Sequence, residues 1–241
     1  MSDDRLNLMR RLGAHDAGLG QGAVEAAVDV KERVLLLVAN LTTHGVDSLK
    51  LLYQWLDDNA VKVAKLLMSD DYRKIEVLTG SDATKDAFIE SLVTLSSDPQ
   101  TRAVDVFLGL HGLENQLWFH EGPCQTSDLG EEIRAENLKQ RLRLMYSTAC
   151  YGASHAPDFI RAGFRVASGA KRTNANGPYD YPTQLACWGK GWTYRSTVNL
   201  ANSPIFIKMH DAIAGLLGFD DVDSEKLIEG RMHTRITTPA D

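Results

Sequence analysis

Apolar and polar residues along this chain switch between two periods, one of strands and one of helices. Positions 33–40, RVLLLVAN, form a continuous β-branched and leucine run between charged and polar residues, the pattern of a strand buried on both faces. Positions 46–68 then repeat apolar residues at helical spacing through Leu49, Leu52, Leu56, Val63 and Leu67. KIEVLTG (74–80) predicts a second strand, and 81–95 a second helix with Ser81 or Asp82 as its N-cap. AVDVFLGL (103–110) is the third strand. The alternation and the Gly-Pro break after it, within 114–133, predict a small hairpin. A helix over 134–141 leads into a fourth strand, LRLMYSTA (142–149). A short helix follows over 154–163, with Pro157 in its first turn, then a fifth strand, FRVASGA (164–170). Beyond 178 the pattern is less regular: 204–218 reads as a helix and 230–241 as a frayed end.

Strands alternating with helices predict an α/β fold, a three-layer sandwich around a mostly parallel sheet of about six strands joined by right-handed crossovers. The expected organisation is an appendage at 1–32, a single domain at 33–230 and a tail at 231–241. The appendage carries an amphipathic stretch (Leu6, Met9, Leu12), a Gly-rich segment at 13–22 and a short helix over 23–31.

Composition narrows the class. At 44% hydrophobic and 24% charged the chain falls in the globular range, which excludes disorder as a whole-chain reading. Twenty-six basic against 32 acidic residues give a net charge of −6 with no block of like charge, so neither a nucleic-acid nor an anionic membrane partner is expected. The longest apolar run, 34–39, is far short of the ~20 residues a membrane helix needs. The N-terminus lacks a secretory pattern. A cytoplasmic location is therefore expected, and three cysteines, Cys124, Cys150 and Cys187, are an odd and sparse set for a disulfide framework, so at least one free thiol is expected.

Open α/β sheets react at the carboxyl ends of their strands. The third strand ends in LHG, placing His111 and Gly112 at its exit, and the fourth ends in STACYGAS, placing Cys150 there. If these strands are parallel neighbours, side chains leaving equivalent positions approach hydrogen-bond reach. An imidazole beside the thiol and a helix N-terminus below it would both favour the thiolate. The N–H groups of Gly112 and Cys150 would then face a developing oxyanion. Singly, a His-Gly at a strand end or a cysteine in an apolar strand is commonplace, and a lone cysteine usually serves as a small buried hydrophobe. The pairing carries the inference.

VFLGLHG, then NQLWF, then LMYSTACYGAS is an order of elements that resembles the caspase-like superfamily of cysteine peptidases (clan CD): caspases, metacaspases, legumains, gingipains, clostripain, separase and bacterial CHAT domains. The resemblance spans about 33–200. It implies a caspase-like fold, a catalytic dyad of His111 and Cys150, an oxyanion hole from the backbones of Gly112 and Cys150, a protein or peptide substrate, and no metal or organic cofactor for the chemistry. Calcium activates some relatives. RAGFRVASGA is similar to the family's element after the nucleophile. Thr148 stands two residues before the cysteine, where many relatives carry an acid or Gln, so no primary specificity follows. Thr148, Ser168 and Asp180, with Arg172 in the polar segment 171–182, are the substrate-binding candidates that the resemblance suggests; solvated loop charge is the plainer account of Asp180 and Arg172.

Other signals are weaker. His44-Gly45 follows a strand and is expected to serve as a helix-start turn. His120 and Cys124 are too few for a closed zinc site. Cys187, Trp188 and Trp192 suggest core or a pocket wall. A catalytically silent binding or scaffolding module is the competing function, and a non-peptidase thiol hydrolase or transferase a third. For a peptidase, a latent state released by cleavage, an activating partner or oligomerisation is expected, with 13–22, 122–130 and 171–182 as switch segments.

Overall fold

The computed structural model describes residues 26–240. Leu6, Met9, Leu12 and the Gly-rich segment 13–22 lie outside them. The strands are β1 (Arg33–Asn40), β2 (Lys74–Thr79), β3 (Ala103–Leu113), β4 (Gln116–Phe119), β5 (Gly122–Gln125), β6 (Leu142–Ser147), β7 (Val166–Ala170) and β8 (Lys226–Gly230). The helices are α1 (Lys50–Met68), α2 (Lys85–Ser97), α3 (Thr126–Ala135), α4 (Gly152–Ala162), α5 (Gly177–Gly189), α6 (Tyr194–Ala201) and α7 (Pro204–Leu216). The main sheet runs β2-β1-β3-β6-β7-β8, with β4 and β5 as a hairpin off the end of β3. All pairings along it are parallel except the last, β7 with β8.

Strand β1 explains the layering. Every residue in it is buried. Because successive side chains alternate in direction, Val34, Leu36 and Val38 enter one core while Leu35 and Leu37 enter the other. The first core is closed by Phe88, Leu92 and Leu95 of α2, Leu129 and Ile133 of α3, and Phe159 of α4. The second is closed by Ala64 and Met68 of α1, Leu185 and Trp188 of α5, Val198 of α6, and Ile236 near the C-terminus. Each such aliphatic or aromatic side chain contributes about 1.5–3 kcal/mol of burial. The result is an α/β three-layer arrangement around a mostly parallel sheet, as the alternation of periods predicts.

Several expectations are corrected. The second helix is capped by Thr84, whose hydroxyl accepts the Ala87 N–H at 3.1 Å, rather than by Ser81 or Asp82, which fall in a short 3-10 turn. The helix before β6 lies at Thr126–Ala135, earlier than 134–141, because it starts directly from the hairpin. Helix α4 begins at Gly152, so Pro157 sits in its interior. The end of the chain is packed: Thr234 and Ile236 are buried, and buried Arg143 donates to the carbonyls of Ile236 and Thr238. Ahead of β1, residues 26–29 are not helical and 30–32 form one 3-10 turn. Among the described residues, no helix is long and apolar enough to cross a membrane.

Candidate active site

β3 and β6 are hydrogen-bonded parallel neighbours in which Leu108 pairs with Ser147. His111 and Cys150 each lie three residues further along, at equivalent register positions; Cys150 has left β6, whereas His111 is still inside β3, which runs on to Leu113 as the first strand of the hairpin and pairs His111 with Trp118, so it is not at the strand exit that the pattern predicts. The Thr148 N–H still donates to Leu108 O at 2.8 Å, which carries the register past the end of β6. The two segments touch through Gly112: a Cβ there would lie 2.5 Å from Cys150 O and 3.0 Å from the Ala149 Cβ. Glycine at 112 is therefore required for close approach of backbone to backbone.

The chain after β6 turns sharply. Tyr151 adopts a left-handed conformation (φ 56°, ψ 19°), a strained state for a residue with a large side chain, and α4 starts at the next residue. The Tyr151 N–H donates to Arg172 O at 2.8 Å and its hydroxyl to Asp221 at 2.8 Å, which holds the turn. Gly152 allows α4 to start against β7, since a Cβ there would be 2.9 Å from the Gly169 Cα. Cys150 thus sits just before the N-terminus of a helix, whose unpaired N–H groups favour a thiolate.

His111 is fixed on several sides. Its Nε2 donates to Leu41 O at 2.7 Å, because a carbonyl can only accept; the neutral ring then presents Nδ1 as its free lone pair. The Tyr53 ring stands edge-on to it, centroids 5.0 Å apart at 86°. Burial pulls the imidazole below its usual 6.5, an effect the Leu41 hydrogen bond and the Asp57 carboxylate partly offset, so the ring is a neutral base at neutral pH. Burial likewise pushes the Cys150 thiol up from 9.0, while the Asn174 N–H, 3.4 Å from Sγ, and the Lys226 ammonium pull it back. Beside His111 lies a cleft of about 210 Å³ lined by His44, His111, Gly112, Leu113 and Trp118. His44 was expected to mark only a helix-start turn; it forms one wall of this cleft, with its ring 5.2 Å from that of Trp118 and Nε2 2.7 Å from Phe119 O.

The substrate-binding candidates are not gathered at this edge. Ser168 is buried in β7 and shares a 2.5 Å hydrogen bond with the Tyr194 hydroxyl. Asp180 is buried in α5, paired with Lys226 at 2.9 Å and accepting from Tyr146 at 2.7 Å and Gln184 at 2.6 Å. Neither faces a substrate: both are core polar groups with their partners satisfied inside the protein. Thr148 stays at the site but turns its hydroxyl back to Leu108 O at 3.1 Å. Arg172 pairs with Asp221 at the surface. Trp188 is core. Among the described residues, no group of three or more His, Cys, Asp or Glu side chains is placed to hold a metal ion.

The site contains parts that sequence patterns do not mark. Leu41 acts through its carbonyl, and backbone groups have no sequence signature. Asn174 ties the 171–176 loop to the strand exit, with Nδ2 donating to Thr148 O at 2.8 Å and Oδ1 accepting from Lys226 at 2.9 Å. Leu41 lies one residue past β1, at the same carboxyl edge of the sheet as Cys150. Comparison of the chain with protein-family models gives no match, and comparison with curated proteins gives none either.

Proposed function

We propose that this protein is a cysteine peptidase of the caspase-like type, with Cys150 as nucleophile and His111 as general base and acid. The observation that carries the reading is the equivalent register of the two residues, each three positions beyond the last pair of the neighbouring strands β3 and β6, with Nε2 of His111 committed to Leu41 and Nδ1 left as the proton acceptor. In the reaction, Nδ1 takes the proton from Sγ as sulfur attacks the scissile carbonyl carbon. The oxyanion so formed is held by the N–H groups of Gly112 and Cys150. As the C–N bond breaks, His111 returns the proton to the leaving amine, giving an acyl-enzyme. Water, deprotonated by the same nitrogen, then attacks the thioester carbonyl; the C–S bond breaks and Sγ is reprotonated.

Leu113, Trp118 and His44 give the cleft beside His111 an apolar and aromatic lining, which suits an apolar residue on the leaving-amine side of the substrate. The chemistry calls for no metal or organic cofactor. All three cysteines are free, as a reducing compartment would keep them, and a cytoplasmic location belongs to the same reading. The loop 171–176, bound to Tyr151 and Cys150 through its backbone, is where an activating partner would act on the nucleophile.

Digestion of a peptide library by the wild type, Cys150→Ala and His111→Ala tests the proposal. Cleavage by the wild type alone is expected. Cleavage that survives in Cys150→Ala would reject the assignment, and no cleavage by any of the three would favour a silent binding module.

A further inference from the structure

We infer that Asp57 is a positioning residue for His111, acting through the Leu41 peptide group: its carboxylate holds the amides of Leu41 and Thr42 while the Leu41 carbonyl holds the imidazole. The inference rests on the cysteine-peptidase reading, which gives His111 its role. Asp57 lies on α1, sixteen residues from Leu41, yet its carboxylate is occupied by the loop that leaves β1. It accepts the Leu41 N–H at 2.9 and 3.1 Å, the Thr42 N–H at 3.0 Å and the Thr42 hydroxyl at 2.8 Å. One peptide unit is therefore used at both ends, since Leu41 O accepts from Nε2 of His111 at 2.7 Å.

Two consequences follow from elementary electrostatics. Fixing both amides fixes the direction of the Leu41 carbonyl, and with it the plane and tautomer of the ring. An anion on the N–H side also polarises the peptide, so that its oxygen becomes a stronger acceptor. This favours the imidazolium that forms when His111 takes the thiol proton, as does the carboxylate's own field. The other titratable groups around the ring are His44 from the loop after β1, whose charge opposes a proton on His111, Tyr53 from α1, and Cys150 beyond the end of neighbouring β6. Asp57 is the carboxylate whose field raises the ring's proton affinity, so the ring's dependence on an anion can be tested at one residue.

The test is NMR titration of the histidine rings in the full chain, with His111→Gln to identify the His111 signals, beside turnover of any cleaved peptide. Asp57→Asn is expected to lower the His111 midpoint by about half a pH unit or more. It should reduce kcat roughly tenfold with little change in KM. Asp57→Glu, which keeps the carboxylate, should restore most of the midpoint and most of the turnover. Loss of the fold would move the His111 midpoint the other way, up toward 6.5. An unchanged midpoint in Asp57→Asn, or a drop of equal size in Asp57→Glu, would overturn the inference. The titration needs no catalysis: a shift in a chain that cleaves nothing rejects the peptidase and keeps the positioning role, while cleavage without a shift rejects only the positioning role.

Discussion

Where α2, α3 and α4 cover the sheet, the interior is mainly hydrocarbon, and polar contacts such as Thr126 to Asp158 lie between helices. Where α1, α5 and α6 cover it, the interior holds two buried ion pairs. Arg143 meets Asp105 through two hydrogen bonds of 2.9 and 2.6 Å, with Tyr72 donating to the same carboxylate at 2.5 Å. Lys226 meets Asp180 with neither side chain exposed. The two faces differ in what a single substitution leaves behind: a void on the first, an unpaired charge on the second. The second face also ties distant parts of the chain together. Arg143 clamps the carbonyls near the C-terminus, and Lys226 reaches the loop whose backbone touches Cys150.

The largest effect is expected at the Arg143 pair. Arg143→Leu should cost about 3–5 kcal/mol in denaturant unfolding, because Asp105 is left charged and buried. Adding Asp105→Leu should recover much of that loss. A double variant no more stable than the single would contradict the account of this face. On the first face, Leu92→Ala should cost about 2–5 kcal/mol, set by the cavity it leaves, with no partner whose removal rescues it.

These differences also explain what the sequence made legible. β1 stands out because its side chains are apolar toward both cores, β2, β3, β6 and β7 because each carries a short apolar run, and α1 because its apolar residues keep helical spacing. The elements missed are α5 and α6, which cover the second face beside α1, and the edge strand β8. Helix α5 carries buried Asp180 and Gln184 and an internal Pro182, so the pattern reads as a loop although Gln184 Nε2 donates to Asp180 and Asp180 is paired with Lys226 inside. Strand β8 opens with buried Lys226, which reads as surface until its carboxylate is found. At the site the same division holds: His111, Gly112 and Cys150 are side-chain or glycine signals at predicted strand exits. Leu41 acts through its carbonyl, and Asp57 and Asn174 through side chains whose partners on other elements only the folded chain reveals.

Acid should weaken the fold by a smaller amount. His111 and His155 are both held below 6.5, chiefly by burial, whereas the unfolded chain protonates each at the ordinary value. The unfolded state therefore binds more protons below 6.5. Stability is full above that pH and declines as pH falls, by up to about 1.4 kcal/mol per unit for each histidine, until the folded rings protonate. Unfolding measured between pH 7 and 5 in the wild type and His155→Gln checks this, and an equal slope in both would remove His155 from the account. The smallest effect is expected for Arg172→Ala. Its ion pair with Asp221 is exposed and screened by solvent, so the loss should be too small to resolve in denaturant unfolding. A larger loss would mean that the 171–176 loop depends on its surface end rather than on Asn174 and Lys226.

The central claim, that Cys150 is a thiol activated by His111, is tested most directly by labelling with a peptidyl electrophile, the modified residue being located by mass spectrometry. The account predicts that Cys150 labels in the wild type, that Cys124 and Cys187 stay unmodified, and that His111→Ala slows labelling by about a hundredfold. Labelling of Cys124 or Cys187 in its place, or of Cys150 at an undiminished rate in His111→Ala, would contradict it.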